Sequence, residues 1–556
     1  MLLVFPSVSF TQNTGSSSDK KAYLHHEIPD DAYLPVPPGN AKTSPAYKYN
    51  GTGIITVQVN VNANGENILG DAANEPSIAI DPNDSNKIVI GWRQFNTISS
   101  NFRQAGYGYS TDAGQTWTFP GVIEPGIFRS DPVLDCDNSG NFYYNSLTSD
   151  YNGYFCKVFK STSGGAGWNT GADAWGGDKQ WMTIDKSGGI GTGNIYSFWT
   201  YFYSSCAEAF TRSTDGGTSF EECSYMAGDP YWGTMAVDAE GDLYVAGAAG
   251  IDGVVVAKST NAQIPGSIVD WDFSTMVFMD GYLNVQTPIN PVGLLGQTYV
   301  DVDRSNGPGR GNVYVLASVV RFSNSDPGDI MFARSTDGGL TWSAPIRIND
   351  DPESFHYQWF GTMSVAPNGR IDAIWLDTRN DPDDLFKSAL YYSYSNDYGE
   401  TWSNNEKLSG IFDPQVGYPQ QDKMGDYFDM VSDDIGAHLA WANTFNEEED
   451  VYYSRIIPDI TGIEHLQGKQ DQLSLTCYPN PFKGQATIRY RTPGNCFVRV
   501  VICNLYGEEI RTLVEKEQPA GTNTLNFGDG SIPAGYYLCK LEAGNKMKTT
   551  RLIKLK

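Results

Sequence analysis

One octapeptide recurs along the chain: Ser110-Thr111-Asp112-Ala113-Gly114-Gln115-Thr116-Trp117, Ser213-Thr214-Asp215-Gly216-Gly217-Thr218-Ser219-Phe220, Ser335-Thr336-Asp337-Gly338-Gly339-Leu340-Thr341-Trp342 and Ser395-Asn396-Asp397-Tyr398-Gly399-Glu400-Thr401-Trp402. Repetition of this kind means a fold assembled from equivalent units. A degraded copy at Ser161–Trp168 and a remnant at Ser259–Asn261 fall between the others. The residue types say what each copy does. Ser, Thr and Asp hydrogen-bond the backbone of a tight turn, Gly supplies positive φ, and Trp or Phe tucks beneath. Each copy reads as a hairpin clasp, which makes Asp112, Asp215, Asp337 and Asp397 structural rather than catalytic.

Ahead of each clasp lies a second repeat: an apolar strand, an Asp/Asn/Gly turn, then a strand rich in Tyr, Val, Ile and Trp. Its copies are Pro76 to Trp92, Pro132 to Leu147, Gln180 to Trp199, Gly233 to Ala248, Tyr299 to Val319, Gly361 to Trp375 and Asp429 to Trp441. The turns centre near Asp81, Asp137, Asp185, Asp238, Asp303, Pro367 and Asp433, at intervals of 56, 48, 53, 65, 64 and 66 residues. These are seven units of blade length, with six as the alternative count. The seventh ends at Asp450–Arg455 without a clasp or fourth strand, whereas Ile54–Asn62 alternates as a strand should. That segment is expected to pair into the seventh unit and close the ring, removing exposed sheet edges.

The clasps match the Asp-box, or bacterial neuraminidase repeat, so the chain resembles the sialidase-like β-propellers. The expected fold is all-β, an Asp-box propeller over residues 51–458. Residues 1–50 read as a signal-like apolar run, Leu2–Phe10, and a polar, Pro-rich leader; residues 459–472 read as a linker. Residues 473–556 form an autonomous β pattern. There, Tyr478-Pro479-Asn480-Pro481-Phe482, Leu505-Tyr506-Gly507, Pro533-Ala534-Gly535-Tyr536-Tyr537 and a lysine-rich end resemble the type A C-terminal sorting domain of the type IX secretion system. The resemblance implies an immunoglobulin-like sandwich read by the secretion machinery as an export address and usually cleaved off, and a mature protein released or held on the outer cell surface.

Charge separates the two parts. The formal net charge is −27, yet residues 474–556 carry 12 Lys+Arg against 6 Asp+Glu, leaving −33 for the rest. An acidic body repels phosphate backbones and anionic membranes, so neither nucleic acid nor membrane is an expected partner. No segment after Phe10 approaches 18 consecutive apolar residues, so no membrane span is expected. The eight cysteines include the close pairs Cys136/Cys156 and Cys206/Cys223, read as local disulfides or as buried thiols. With five histidines and no CxxC, no zinc set is supported and no cofactor is required. Calcium is the one candidate metal, at the acids of Asp381–Asp384 and Glu447–Asp450.

In a propeller the loops before each innermost strand and after each second strand meet at one mouth of the channel. The expected ligand rim is therefore Glu75, Trp92, Gln180, Trp181, Asp229 beside Tyr231, Trp232, Gln297, Gln358, Trp359, Asp377 and Asp426. Aromatic faces stack on sugar rings, and fork-shaped polar groups bind hydroxyls or a carboxylate. An extracellular glycan or glycoprotein is the partner this rim suits. The sialidase resemblance implies a sharper alternative, an exo-glycosidase that clamps a sugar carboxylate with three arginines and attacks with a Tyr–Glu pair. Phe128-Arg129-Ser130-Asp131-Pro132 is similar to the family's Phe/Tyr-Arg-Ile-Pro sequence, with one residue inserted. On that reading Arg93, Arg129 and Arg379 form the clamp, Asp131 is the acid/base and Tyr427 the nucleophile. No partner Glu is evident, and binding without turnover uses the same rim.

Overall fold

The structure, a computed structural model, describes residues 31–35, 41–458 and 474–555, apart from 151, 202–203, 251–252, 325, 353–354, 381–385, 479, 481, 493–494, 505–507, 520, 529–531 and 545. Most of the leader, the linker and the acids at Asp381–Asp384 thus lie outside the described residues. The described residues are strands, turns and loops without a helix, so the all-β expectation holds. Two compact units divide at Pro458/Asp459.

Among the described residues of the first unit, seven antiparallel sheets of three to five strands follow one another, besides two two-stranded ribbons. Their innermost strands are Ala72–Ile80, Ser130–Cys136, Trp181–Ile184, Tyr231–Val237, Tyr299–Val302, Gln358–Val365 and Asp429–Ser432. Each packs against the next, and the last packs against the first, so the seven form a ring. Side chains stitch neighbouring sheets together. Ser77 Oγ accepts from the Leu134 N–H (2.9 Å), Asp135 from Ile184 (2.8 Å), Thr234 from Val300 (2.9 Å) and Asp301 from Val365 (2.7 Å). Ser364 accepts from Ser432 (3.0 Å), and Asp429 returns the stitch to Ile78 (3.0 Å). Short polar residues on otherwise apolar inner strands thereby satisfy backbone groups that the interface would bury unpaired.

The ring closes through the start of the chain. Ile54–Gln58 pairs antiparallel with Asp450–Ile456 in the seventh sheet, and Lys48–Gly51 adds beyond it. Thr56 and Ser454 share a 2.8 Å hydroxyl bond, and Trp441 Nε1 donates to the same Ser454 Oγ at 2.9 Å.

The clasps sit on the turns that follow third strands. In the first, Asp112 accepts from Ser110 Oγ (2.8 Å), Thr116 N (2.9 Å) and Thr116 Oγ1 (2.6 Å), while Ser110 Oγ accepts from Gly114 N (2.9 Å). The copies at Asp215, Asp337 and Asp397 repeat these bonds. Each carboxylate is committed to its own turn.

Cys206 and Cys223 are bonded to each other. The other expected pair is corrected: Cys136 and Cys156 are free and buried. They lie on strands flanking Phe142–Asp150, opposite Phe142 and Leu147 respectively. Two strand spacings, roughly 9.5 Å, already exceed the reach of a disulfide.

The second unit packs two antiparallel sheets around one core. One holds Ser474–Tyr478, Gln485–Thr492 and Gly521–Gly528; the other holds Glu509–Gln518, Cys496–Cys503, Gly535–Ala543 and Lys546–Lys554. Phe482, Ile488, Val500, Leu541 and Leu552 are among the buried residues of that core.

Candidate functional site

The entrance to five of the seven inner strands is bent in a repeated way. Glu75 (φ 48°), Asp131 (46°), Lys179 (55°), Trp232 (52°) and Phe360 (54°) all adopt left-handed backbone. Ladder register slips beside four of these five, as a β-bulge requires. Left-handed non-glycine residues cost roughly 1–3 kcal/mol each, so their recurrence at one level marks a constrained zone. The side chains of the first three meet in one place, linked by Lys423 and Asp426.

A charged cluster results, buried from solvent. Lys179 Nζ reaches Asp426 (2.8 Å), Asp178 (3.3 Å) and Asp131 (3.4 Å), spanning three sheets. Lys423 bridges Asp426 (2.6 Å) and Glu75 (3.4 Å), and Arg93 Nε lies 3.2 Å from Glu75. Burial pushes the Glu75 carboxyl up to about 8 against the pull of Arg93 and Lys423. A hairpin inserted ahead of the fifth sheet, Val285–Thr287 with Asn290–Leu294, helps bury this zone. Asn290 donates to Gly425 O (2.9 Å) and accepts from Met424 N (3.1 Å), while Leu294 N donates to Asp426 (2.8 Å). At Gly425, φ is 94° and an added Cβ would lie 2.6 Å from Glu75, so glycine is required there.

Beneath the charges lies an aromatic layer. Trp181 meets Tyr299 and Tyr427 edge to face, at centroid distances of 5.9 and 5.5 Å. Tyr427 Oη donates to Pro132 O at 2.8 Å, and burial, with Glu75 and Asp131 nearby, raises the phenol well above its ordinary range. Beyond this layer the channel opens toward the hairpin turns as a cavity of about 530 Å³. Ile78, Leu134, Met182, Met235, Met363 and Met430 line it, and none of the charged cluster does.

Several expected site residues are placed differently. Arg93, Arg129 and Arg379 are each committed to their own acids: Arg93 to Glu75, Arg129 to Glu124, and Arg379 to Asp377 (2.8 Å), Asp350 (2.6 Å) and Asp351 (3.5 Å). Arg379 also lies over the Tyr391 ring. A three-arginine clamp on one anion is therefore not assembled. Asp131 is held by Lys179 and Ser130, and Tyr427 donates to the Pro132 carbonyl.

The rim tryptophans Trp92, Trp181, Trp232 and Trp359 belong to the core and present no open face. Gln180, Gln297, Gln358, Asp377, Asp426 and Glu75 are buried as well. Among the named rim residues Asp229 alone is exposed. Around it the structure places rings that sequence reasoning overlooked or ranked low. Tyr231 is partly exposed, and its Oη accepts from Gly250 N (2.8 Å); Tyr201 is an electrostatic neighbour of Asp229. Trp175 is 37% exposed on a loop tied to the Tyr201 segment by Ser204 Oγ donating to Gly176 O (2.6 Å). Trp199-Thr200-Tyr201 at the exit of a second strand was the signal for Tyr201; Trp175, Lys423 and the covering hairpin fall outside the repeat and carried none.

Among the described residues no group of three or more His, Cys, Asp or Glu is arranged to hold a metal ion. Glu448, Glu449 and Asp450 instead accept hydrogen bonds from Gly70 N, Asn74 and Asn60. No helix is long and apolar enough to cross a membrane.

Comparison with known proteins gives one family. Residues 476–555 match the secretion system C-terminal sorting domain. No curated protein sequence matches the chain. Among solved structures, a protein of unknown function from Dyadobacter fermentans is 15% identical, covers 73% of this chain and 100% of its own, and has a TM-score of 0.42. Trypanosoma rangeli sialidase with the inhibitor DANA is 10% identical over 89% of this chain and 86% of its own, at a TM-score of 0.35. An ulvan lyase is 11% identical over 70% and 94%, at 0.36. The sorting domain marks this chain as a type IX export substrate, delivered to the medium or to the outer cell surface.

Proposed function

We propose that the exported ring of sheets holds an extracellular glycan over its third and fourth sheets without cleaving it. One observation carries this reading: the partly exposed rings of Tyr201 and Tyr231 flank the exposed Asp229 carboxylate, and Trp175 is exposed on the loop tied to the Tyr201 segment. Rings of that kind stack on the apolar face of a sugar, and a solvated carboxylate accepts from its hydroxyls. Turnover would need a released nucleophile, whereas Tyr427 is hydrogen-bonded to a backbone carbonyl beneath a neutral-to-acidic buried cluster.

The test is retention of a panel of neutral and acidic polysaccharides by the full chain, alongside fluorogenic glycosides, a sialoside included. Binding without product is expected. Trp175→Ala should weaken it about tenfold, the equivalent of ~1.4 kcal/mol, and chelation of divalent cations should leave it unchanged. Unaltered binding in both Trp175→Ala and Asp229→Asn would overturn the placement. A second reading, the exo-glycosidase of the sialidase class, is favoured by Glu75 standing next to the Tyr427 phenol, the acid partner that class needs. Sugar release abolished by Tyr427→Phe would establish it in place of the first.

A further inference from the structure

The sorting sandwich carries four of the eight cysteines, Cys477, Cys496, Cys503 and Cys539. Alternation along a strand decides where each thiol points. In Gly535–Ala543, Tyr537, Cys539, Leu541 and Ala543 are buried while their neighbours are partly or fully exposed, so Cys539 faces the interior. In Ser474–Tyr478, Leu475 is buried and Cys477, two residues on, packs against the same core. These strands belong to different sheets, so the thiols approach from opposite walls. Both belong to the one core that the sheets enclose, Cys539 within it and Cys477 packed against it, and each thiol shifts the other's titration.

The remaining thiols are placed less well. Cys503 lies beside Cys539's strand but in register with Leu538, one residue off, and adjacent positions face opposite sides. Cys496 pairs with Gln518 near the strand's start.

We infer that Cys477 and Cys539 become a disulfide between the two sheets once the chain leaves the reducing cytoplasm. The chemistry is thiol–disulfide exchange with an oxidant of the protein-disulfide class. Cys477, the more exposed of the two, attacks the oxidant's disulfide as thiolate and forms a mixed disulfide. The Cys539 thiolate then attacks the Cys477 sulfur and expels the oxidant's thiolate. One S–S bond forms and one breaks; two electrons and the two thiol protons pass to the oxidant, which leaves as a dithiol. Their mutual influence favours this order, because Cys539 lowers the Cys477 thiol, and Cys477 together with burial raises Cys539. The bond ties the first strand after the linker to an interior strand of the opposite sheet, so the sandwich cannot unzip from its start.

The experiment is peptide mapping by mass spectrometry of the full chain produced in an oxidising periplasm, with the sorting domain still attached, alkylated in denaturant without reductant. A linked pair of peptides containing Cys477 and Cys539 is expected, together with the Cys206–Cys223 pair, leaving four alkylated cysteines. Alkylation of both Cys477 and Cys539, or a Cys503–Cys539 linkage in their place, would overturn the inference. As a second readout, reductant should lower the unfolding midpoint of the sandwich in the native chain and leave it unmoved in Cys477→Ala. An equal shift in both would also overturn it.

Discussion

Replacing Lys179 with Met is the most informative perturbation. The ammonium is fully buried and lies 2.8, 3.3 and 3.4 Å from Asp426, Asp178 and Asp131. Methionine keeps the length and removes the charge, leaving acids whose desolvation the lysine had offset. Breaking a buried ion pair from one side costs about 3–5 kcal/mol, a large share of a typical stability of roughly 5–15 kcal/mol. The loss has a pH signature. Without Lys179 the carboxyls have folded pKa values raised above their unfolded ones, so stability is retained at low pH and lost as pH rises through the folded values. The gap between Lys179→Met and the native chain should therefore be largest at pH 8 and shrink toward pH 5. Urea unfolding followed by tryptophan fluorescence at both pH values measures it. Adding Asp178→Asn should return part of the loss at pH 8, because one of the acids that the ammonium had offset is then neutral. A destabilisation under ~1 kcal/mol, or one equal at both pH values, would refute the view that this cluster is a structural plug.

Three further outcomes follow from the geometry. Burial pushes Asp326, Asp429 and Asp450 to about 7, so the folded chain holds protons that the unfolded chain releases. Its urea midpoint should fall from pH 4.5 to 7.5, and a midpoint rising across that window would contradict the assignment. Asp337→Ala removes three hydrogen bonds from an exposed clasp. It should cost ~1–3 kcal/mol in the same unfolding assay while glycan retention is unchanged. Ser454→Ala strands both Trp441 Nε1 and Thr56 Oγ1, so a loss of ~2–4 kcal/mol and faster hydrogen exchange across Ile54–Gln58 are expected. Unchanged exchange there would mean that the first strand is not held by this contact.

The fold was legible because its signals are local. A clasp needs its own eight residues, and the alternation of Ile54–Asn62 announced a strand in need of a partner, which Asp450–Ile456 supplies. The site was less legible because it depends on how far each side chain is covered, which no local pattern encodes. Trp92 and Trp359 have the chemistry of sugar platforms yet fill the spaces between sheets. Arg93 and Arg379 had the right charge, but the nearest carboxylates took them. The covering hairpin at Val285–Leu294 interrupts the repeat instead of continuing it, and Lys423 belongs to an irregular loop. Sequence spacing also suggested Cys136–Cys156, since closeness along the chain does not reveal an intervening strand.

Closure of the ring by a strand that precedes all seven inner strands sets a schedule for its biogenesis. Ile54 finds Ile456 as its partner, some four hundred residues later, and bringing such distant segments together costs roughly 5 kcal/mol of loop entropy before any contact repays it. Ribosomes deliver chains from the N-terminus, so the first strand waits, edge exposed, through synthesis of every sheet that follows. The last strand of the ring emerges just before the linker and the sorting sandwich, and the body can therefore finish folding only as its address is being written.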